Sequence, residues 1–254
     1  MLIDTHCHLD AVEFDEDRDR VVEAALHAGI ERILIPAVEA DQFKRTVAVA
    51  ARYRCCRVAL GIHPLYVGRA EPRDLDSLRA SLQAGDAIAV GEIGLDYYVD
   101  DADRERQAFF FSEQLKIARE FNLPVILHIR RAQDDVLKHL RRARCTGGIA
   151  HAFNGSIQQA SQFIDLGFCL GFGGAMTFEG SRRIRRLAAD LPETAIVLES
   201  DAPDMSPAWA RGKRNEPAYV QRFACELARL RDRDPADIVE RCCVNALRVV
   251  AGLA

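Results

Sequence analysis

Eight short aliphatic or β-branched runs alternate along this chain with longer stretches of helical period, and that alternation limits the folds open to it. The runs lie at residues 2–5, 32–36, 57–62, 87–92, 124–128, 148–151, 168–171 and 196–200. Between them, segments such as 18–28, 40–53, 103–121 and 132–144 carry apolar residues at three- and four-residue steps. Eight strand-then-helix units in 254 residues match the arithmetic of an α/β protein built as a (β/α)8 TIM barrel, whose parallel strands are covered on both faces and read as continuous apolar runs. No Pro/Gly/Ser-rich linker interrupts the pattern, so a single domain over residues 1–254 is expected. An open doubly wound sheet would want GxGxxG after its first strand, where this chain has His6-Cys7-His8. The one glycine cluster, Gly171-Phe172-Gly173-Gly174, comes late. It reads as a tight loop passing close to a ligand or a neighbouring loop, or as a purely steric turn.

In such a barrel the reactive groups collect where the strands end, so the polar residues terminating each run carry the functional information. They are His6 and His8 after the first run, His63 after the third, Glu92 at the fourth, His128 at the fifth, His151 at the sixth and Asp201 after the eighth. The other two histidines, His27 and His139, fall inside helical stretches, so the clustering at strand ends is not an effect of abundance. Residues i and i+2 of a strand point the same way, which lets His6 and His8 offer two imidazoles to one cation while Cys7 turns aside. His128 and His151, from neighbouring strands, are placed to hold a second cation. Glu92 lies between the two pairs and has one carboxylate oxygen for each, and Asp201 can ligate, orient the attacking water or accept its proton. Two divalent metal ions are expected, and mixed histidine and carboxylate donors accept zinc, manganese or magnesium. Glu92 and Asp201 are the expected catalytic carboxylates.

Charge narrows the substrate. The chain carries 34 basic and 38 acidic side chains, a net charge of -4, which argues against gripping DNA through a broad basic surface. Two divalent ions and two carboxylates leave a local charge of about +2, enough to draw in a phosphodiester, and paired ions suit hydrolysis of one. No apolar run approaches the roughly 20 residues that span a bilayer, and the first residues lead straight into polar chemistry, so no membrane association and a cytoplasmic location are expected. The eight cysteines are scattered, without CxxC spacing, and read as reduced thiols.

Five segments, Ile3-Asp4-Thr5-His6-Cys7-His8, Gly61-Ile62-His63-Pro64, Gly91-Glu92-Ile93-Gly94-Leu95-Asp96-Tyr97-Tyr98, Pro124-Val125-Ile126-Leu127-His128 and Leu198-Glu199-Ser200-Asp201-Ala202-Pro203, resemble the TatD family in order and over nearly the whole chain. The stretch Asp201-Ala202-Pro203-Asp204-Met205 is most similar to its YjjV-like branch. The resemblance implies a metal-dependent hydrolase of amidohydrolase-like barrel type, acting as a deoxyribonuclease, with 3′ to 5′ exonuclease activity in some members. It implies His6, His8, Glu92, His128, His151 and Asp201 as metal ligands. His63 matches the family's histidine after the third strand, where contact with substrate phosphate or support behind the ligands is expected. Arg130 matches a common arginine that can fork onto a phosphate, and Asn215, in Gly212-Lys213-Arg214-Asn215-Glu216-Pro217, matches the loop after the eighth strand, as a substrate contact or a helix cap. Trp209, Tyr97 and Tyr98 suit either base stacking or packing under loops.

Two departures stand out: Ser200 replaces the usual threonine, and Asp204 replaces a common tyrosine and adds negative charge near a phosphate path. The expected substrate is therefore DNA, as single strands or ends, with small phosphate or carboxylic esters as the alternative on the same metals. No obligate protein partner is evident. A third reading, an idle scaffold that inherited the barrel, is disfavoured because all six ligand positions carry competent donors.

Overall fold

The computed structural model describes residues 1–99, 103–145 and 147–254. Strands β1 (Leu2–Asp4), β2 (Ile30–Pro36), β3 (Cys56–Leu60), β4 (Ala89–Asp96), β5 (Val125–Arg130), β6 (Gly148–Ala150), β7 (Phe168–Phe172) and β8 (Ile196–Leu198) form one parallel sheet in chain order. Helices α1 (Arg18–His27), α2 (Phe43–Ala51), α3 (Pro72–Ala84), α4 (Arg104–Glu120), α5 (Gln133–Ala143), α6 (Ile157–Asp165) and α7 (Arg182–Asp190) make the crossovers, and α8 (Val220–Arg231) and α9 (Pro235–Val249) follow β8. The helix boundaries have local causes. Pro72 opens α3 and Gly85 closes it in the left-handed region, while Ser156 and Gln159 form a reciprocal capping box on α6.

One inward residue from every strand, Ile3, Leu34, Ala59, Ala89, Ile126, Ile149, Cys169 and Val197, packs into a cluster with Cys243, Ala246 and Val249 of α9 and the terminal Val250 and Leu253. No side chain of α1 to α8 enters that cluster, which identifies it as the barrel lumen with α9 as its floor. A second, larger cluster fills the space between strands and outer helices. Because side chains alternate along a strand, the positions two residues beyond Ile126, Ile149 and Val197 also face the lumen, one layer higher. They are His128, His151 and Glu199.

The seam between β8 and β1 closes just past the ends of both strands. Thr5 N–H donates to Leu198 O at 3.1 Å, Asp201 N–H to His6 O at 2.8 Å and His8 N–H to Ala202 O at 2.8 Å. The buried carboxylate of Asp4 fastens the same seam, accepting the N–H of His6 at 3.2 Å, the N–H of Ser200 at 2.8 Å and the hydroxyl of Ser200 at 2.6 Å. Burial lifts the Asp4 carboxyl to about 7 although these donors favour its charged form.

The fourth strand departs from the sequence expectation of 87–92. It continues to Asp96 because β5 supplies partners for Leu95 and Asp96 at Ile129 and Arg130, so Glu92 sits in mid-strand rather than at its end. A register shift between Val90 and Ile93 accompanies this. The eight cysteines form no disulfide, and all but Cys225 are buried. No helix among the described residues is long and apolar enough to cross a membrane.

If Asp4 ties the seam, Asp4→Ala leaves two buried backbone N–H groups without an acceptor and the Ser200 hydroxyl with only His6 O at 3.3 Å, and costs about 2–5 kcal/mol. We expect a Tm lower by roughly 5–15 °C in a thermal melt, with a smaller loss for Asp4→Asn. An unchanged melting temperature in Asp4→Ala would remove Asp4 from this role.

Candidate metal centre

Glu92 is almost wholly buried, and its two oxygens face different histidines. Oε2 lies 3.1 Å from His6 Nε2 and 3.5 Å from His8 Nε2. Oε1 lies 2.9 Å from His128 Nδ1, 2.9 Å from His151 Nε2 and 3.4 Å from His63 Nε2. Asp201 completes the first side, its Oδ1 3.6 Å from both His6 Nε2 and His8 Nε2. All six proposed ligand positions, with His63, therefore converge at one end of the barrel.

The spacing fits cations. Around His6 Nε2, His8 Nε2, Glu92 Oε2 and Asp201 Oδ1, five donor pairs lie at 3.1 to 3.6 Å. A tetrahedron with metal–ligand bonds of about 2.1 Å has edges of about 3.4 Å. On the other side, His151 Nε2 lies 3.4 Å from His128 Nδ1. Three overlapping groups of donors could hold a metal: His6, His8 and Asp201; His6, Glu92 and His151; and His63, Glu92 and His128.

Hydrogen bonds to the far side of two rings fix which nitrogen is free. His8 Nδ1–H donates to Pro36 O at 3.2 Å, which leaves the Nε2 lone pair for the centre. His128 Nε2–H donates to Asp96 Oδ2 at 2.9 Å and so presents Nδ1. His63 is different: its Nδ1 accepts the Leu65 N–H at 3.1 Å, so the neutral ring carries its proton on Nε2 and offers the centre a donor. That geometry favours a contact with substrate over ligation. The Nδ1 atoms of His6 and His151 have no hydrogen-bond partner in their buried surroundings.

The cluster is electrostatically tight. Burial would raise the Glu92 carboxyl, but His151, His6 and His63 outweigh it and hold the group well below the usual carboxylate range. Burial and the neighbouring His151 push His6 well down. His151, despite burial, is lifted to about 10 by Glu92. Burial lowers His63 to about 4 and raises Asp201 above its ordinary value. The backbone marks the same rim: Arg131, Ala152 and Asp201, following β5, β6 and β8, all hold positive φ, at 56°, 45° and 57°, where non-glycine residues are strained.

Three carboxylates went unmarked in the sequence reading. Asp4 fastens the seam beneath His6, and Asp96 holds His128. Glu199 accepts the Ala152 N–H at 2.6 Å through Oε1, which lies 3.8 Å from His151 Nδ1, while its Oε2 has no partner. Burial raises Glu199 to about 8. The glycine cluster is explained here: a Cβ on Gly171 would stand 1.9 Å from Glu199 Oε2, and one on Gly173 would stand 2.4 Å from Glu199 O. The lumen phase of Val197 is the signal that would have found Glu199.

Other expectations meet mixed outcomes. Asn215 is corrected: it is fully buried, and its Nδ2 donates to Ser200 O at 2.7 Å and Asp204 O at 2.8 Å while its Oδ1 accepts the Glu216 N–H. Its amide is consumed in clipping the β8 loop, so it has nothing left for a substrate. Arg130 is exposed, with its guanidinium 3.5 Å over the ring of Tyr98. Tyr97 bonds Asp135, and Trp209 packs against Phe223 and Tyr219. Cys7 is fully buried, away from the donor set.

The family model described as TatD related DNase matches residues 3–251. A protein of Escherichia coli K12, "Uncharacterized metal-dependent hydrolase YjjV", is 40% identical over 246 residues, covering 96% of this chain and 95% of that one. The crystal structure of the Escherichia coli K12 TatD homologue YjjV superposes with a TM-score of 0.94 at 38% identity, over 98% of each chain. A protein of Citrobacter koseri named "3'-5' ssDNA/RNA exonuclease TatD" is 30% identical over 242 residues, covering 92% of this chain and 93% of that one.

Gly171→Ala would press on the Glu199 carboxylate, and overpacking of this kind costs about 1–3 kcal/mol. We expect a lower Tm for Gly171→Ala and none for Gly180→Ala, whose Cβ would meet nothing within 4 Å. Equal melting temperatures for the two variants would contradict the close approach.

Proposed function

Because this chain is a metal-dependent hydrolase belonging to the family of TatD-related DNases, we propose that it cleaves phosphodiester bonds of DNA, in single strands or at ends, with two divalent cations. The observation that supports this reading is the division of the Glu92 carboxylate, one oxygen toward His6 and His8 and the other toward His128 and His151. A single carboxylate set between two pairs of imidazoles is the ligand arrangement a bridged pair of ions needs. His6, His8 and Asp201 would hold one ion and His128 and His151 the other, with zinc, manganese and magnesium as the candidates. Ions so placed acidify water and neutralise charge on a phosphate.

The chain's own groups divide the remaining work. Asp201 is raised by burial and stays 14% exposed, which suits it to accept the proton of attacking water. Its position depends on the β8 loop, held by Asn215 from within. Glu92 cannot serve as that base while both its oxygens are engaged by histidines. His63 Nε2–H, which faces Glu92 Oε1 at 3.4 Å, would donate to a phosphate oxygen brought into the centre, and Arg130 would fork onto another at the end of β5. The recessed position of the donors favours a flexible strand or a frayed end over an intact duplex. By likeness to the Citrobacter koseri protein, digestion is expected from the 3′ end.

A second reading, hydrolysis of small phosphate or carboxylic esters on the same centre, draws on Asp204. This exposed carboxylate lies three residues past Asp201 and acts on it electrostatically. Protein stripped with a chelator and reloaded with one metal at a time separates the two, using end-labelled single-stranded DNA beside small esters. We expect metal-dependent shortening of the DNA from its 3′ end, and a loss of at least about 1,000-fold in kcat/KM for Glu92→Gln. Intact DNA with hydrolysed esters would transfer the assignment to the second reading. Activity surviving in Glu92→Gln would end the bridging role.

A further inference from the structure

The opening of the barrel is not uniformly charged. On the β8 side stand Asp201 and the exposed Asp204, with the exposed Arg211 and Lys213 further along the same loop. Arg130 and Arg131 follow His128 at the end of β5, and Arg182 and Arg183 open α7 after β7. All four arginines are exposed, and none holds a carboxylate among the described residues. Asp96, whose carboxyl Arg130 helps to lower, is taken up by His128, Asp134 accepts from Gln159 and Asp135 from Tyr97, while Glu179 lies exposed in the loop before Arg182.

One of these cations, Arg183, is tied by a hydrogen bond to the loop after β6, and Arg130 and Arg131 both stack on Tyr98. Asn154, three residues past His151 in the β6 loop, accepts Gln133 Nε2–H through its backbone oxygen at 3.1 Å and Arg183 Nε–H through Oδ1 at 2.8 Å. The start of α5, the loop after β6 and the start of α7 are thereby stitched at one residue. Arg131 is aimed by a left-handed backbone, at φ 56°, and its guanidinium lies 4.6 Å over the ring of Tyr98. The array begins within three residues of both histidines on this side of Glu92, so it continues outward from the reacting centre.

We propose that Arg131, Arg182 and Arg183 form an anion track for the backbone phosphates of an extended single-stranded polynucleotide, which lies over the β5 to β7 loops and away from Asp204. The inference rests on the phosphodiesterase reading and deepens it, since a small ester has one phosphate and no use for a track. It also accounts for how a chain of net charge -4 handles a polyanion: positive charge is gathered locally on the loops after β5 and β7. Guanidinium groups suit this task because they bind phosphate in a fork without reading sequence.

The test uses fluorescence anisotropy of metal-loaded protein with a hydrolysis-resistant phosphorothioate oligothymidylate of about 20 nucleotides, over a range of salt. For R131Q/R182Q/R183Q we expect a Kd raised at least tenfold and a salt slope shallower by about 2. R131Q/R182Q, which leaves the Arg183 link to Asn154 intact, is expected to lose about 1.4 of slope. Arg54→Gln, exposed at the opposite end of the barrel, removes one charge and is expected to bind as wild type does. Thermal melts of all variants establish that they are folded. A Kd and slope for the triple variant within twofold of wild type would overturn the track. Arginine-dependent binding by a protein that hydrolyses neither DNA nor a small diester with any metal would uphold the track and remove the phosphodiesterase reading. Hydrolysis of the diester with arginine-independent binding of the oligonucleotide would do the reverse.

Discussion

A carboxylate taken out of water is stable only if its neighbours return the solvation it has lost, and Glu92 makes that demand at the centre of this barrel. Its side chain is 2% exposed and touches the rings of five histidines drawn from the ends of β1, β3, β5 and β6. Removing one member of such a cluster leaves a buried charge uncompensated, a loss of about 3–5 kcal/mol for ordinary buried pairs. The same crowding of nitrogen and oxygen atoms is what a cation would satisfy, so stability and metal chemistry are properties of one arrangement.

The barrel is built to keep that arrangement in place. Its lumen is apolar below, with one side chain from each strand packed on α9, and polar above, where His128, His151 and Glu199 occupy the next inward layer. Gly171 gives up its side chain so that the Glu199 carboxylate can lie against the backbone of β7. Asp4 and Ser200 lock the seam at which β8 delivers Asp201 beside His6 and His8. Each device serves position more than affinity: a shift of 1 Å would change which donors share a cation.

Around this core the rim carries Asp201 and Asp204 close to the centre after β8, with Arg211 and Lys213 further along that loop, and exposed arginines after β5 and β7. Asp204 and Asn215 illustrate how differently two neighbours in one loop can act. The first projects to solvent and shapes the field, while the second is sealed inside and holds the loop's backbone. The likeness of its loop to the family's loop after the eighth strand made Asn215 a candidate contact; its saturated amide removes it.

The barrel was legible because period and length are local properties: a run of aliphatic residues followed by a helical stretch, eight times over, leaves few architectures. The convergence of His6, His8, His63, Glu92, His128, His151 and Asp201 was legible for the same reason, since strand ends in a barrel share one rim. What remained hidden depended on partners distant in the chain. Glu92 could not be placed in mid-strand without knowing that β5 offers pairing as far as Arg130. Glu199 sits within a run that reads as strand and Asp96 lies past the run 87–92, and their value comes from His151 and His128 across the sheet. The amino-acid order thus determined which chemistry each element presents, through spacing along a single strand or helix. Only closure of the barrel decided which atoms meet, because hydrogen bonds and ligation act over about 3 Å of space, whatever the distance along the chain.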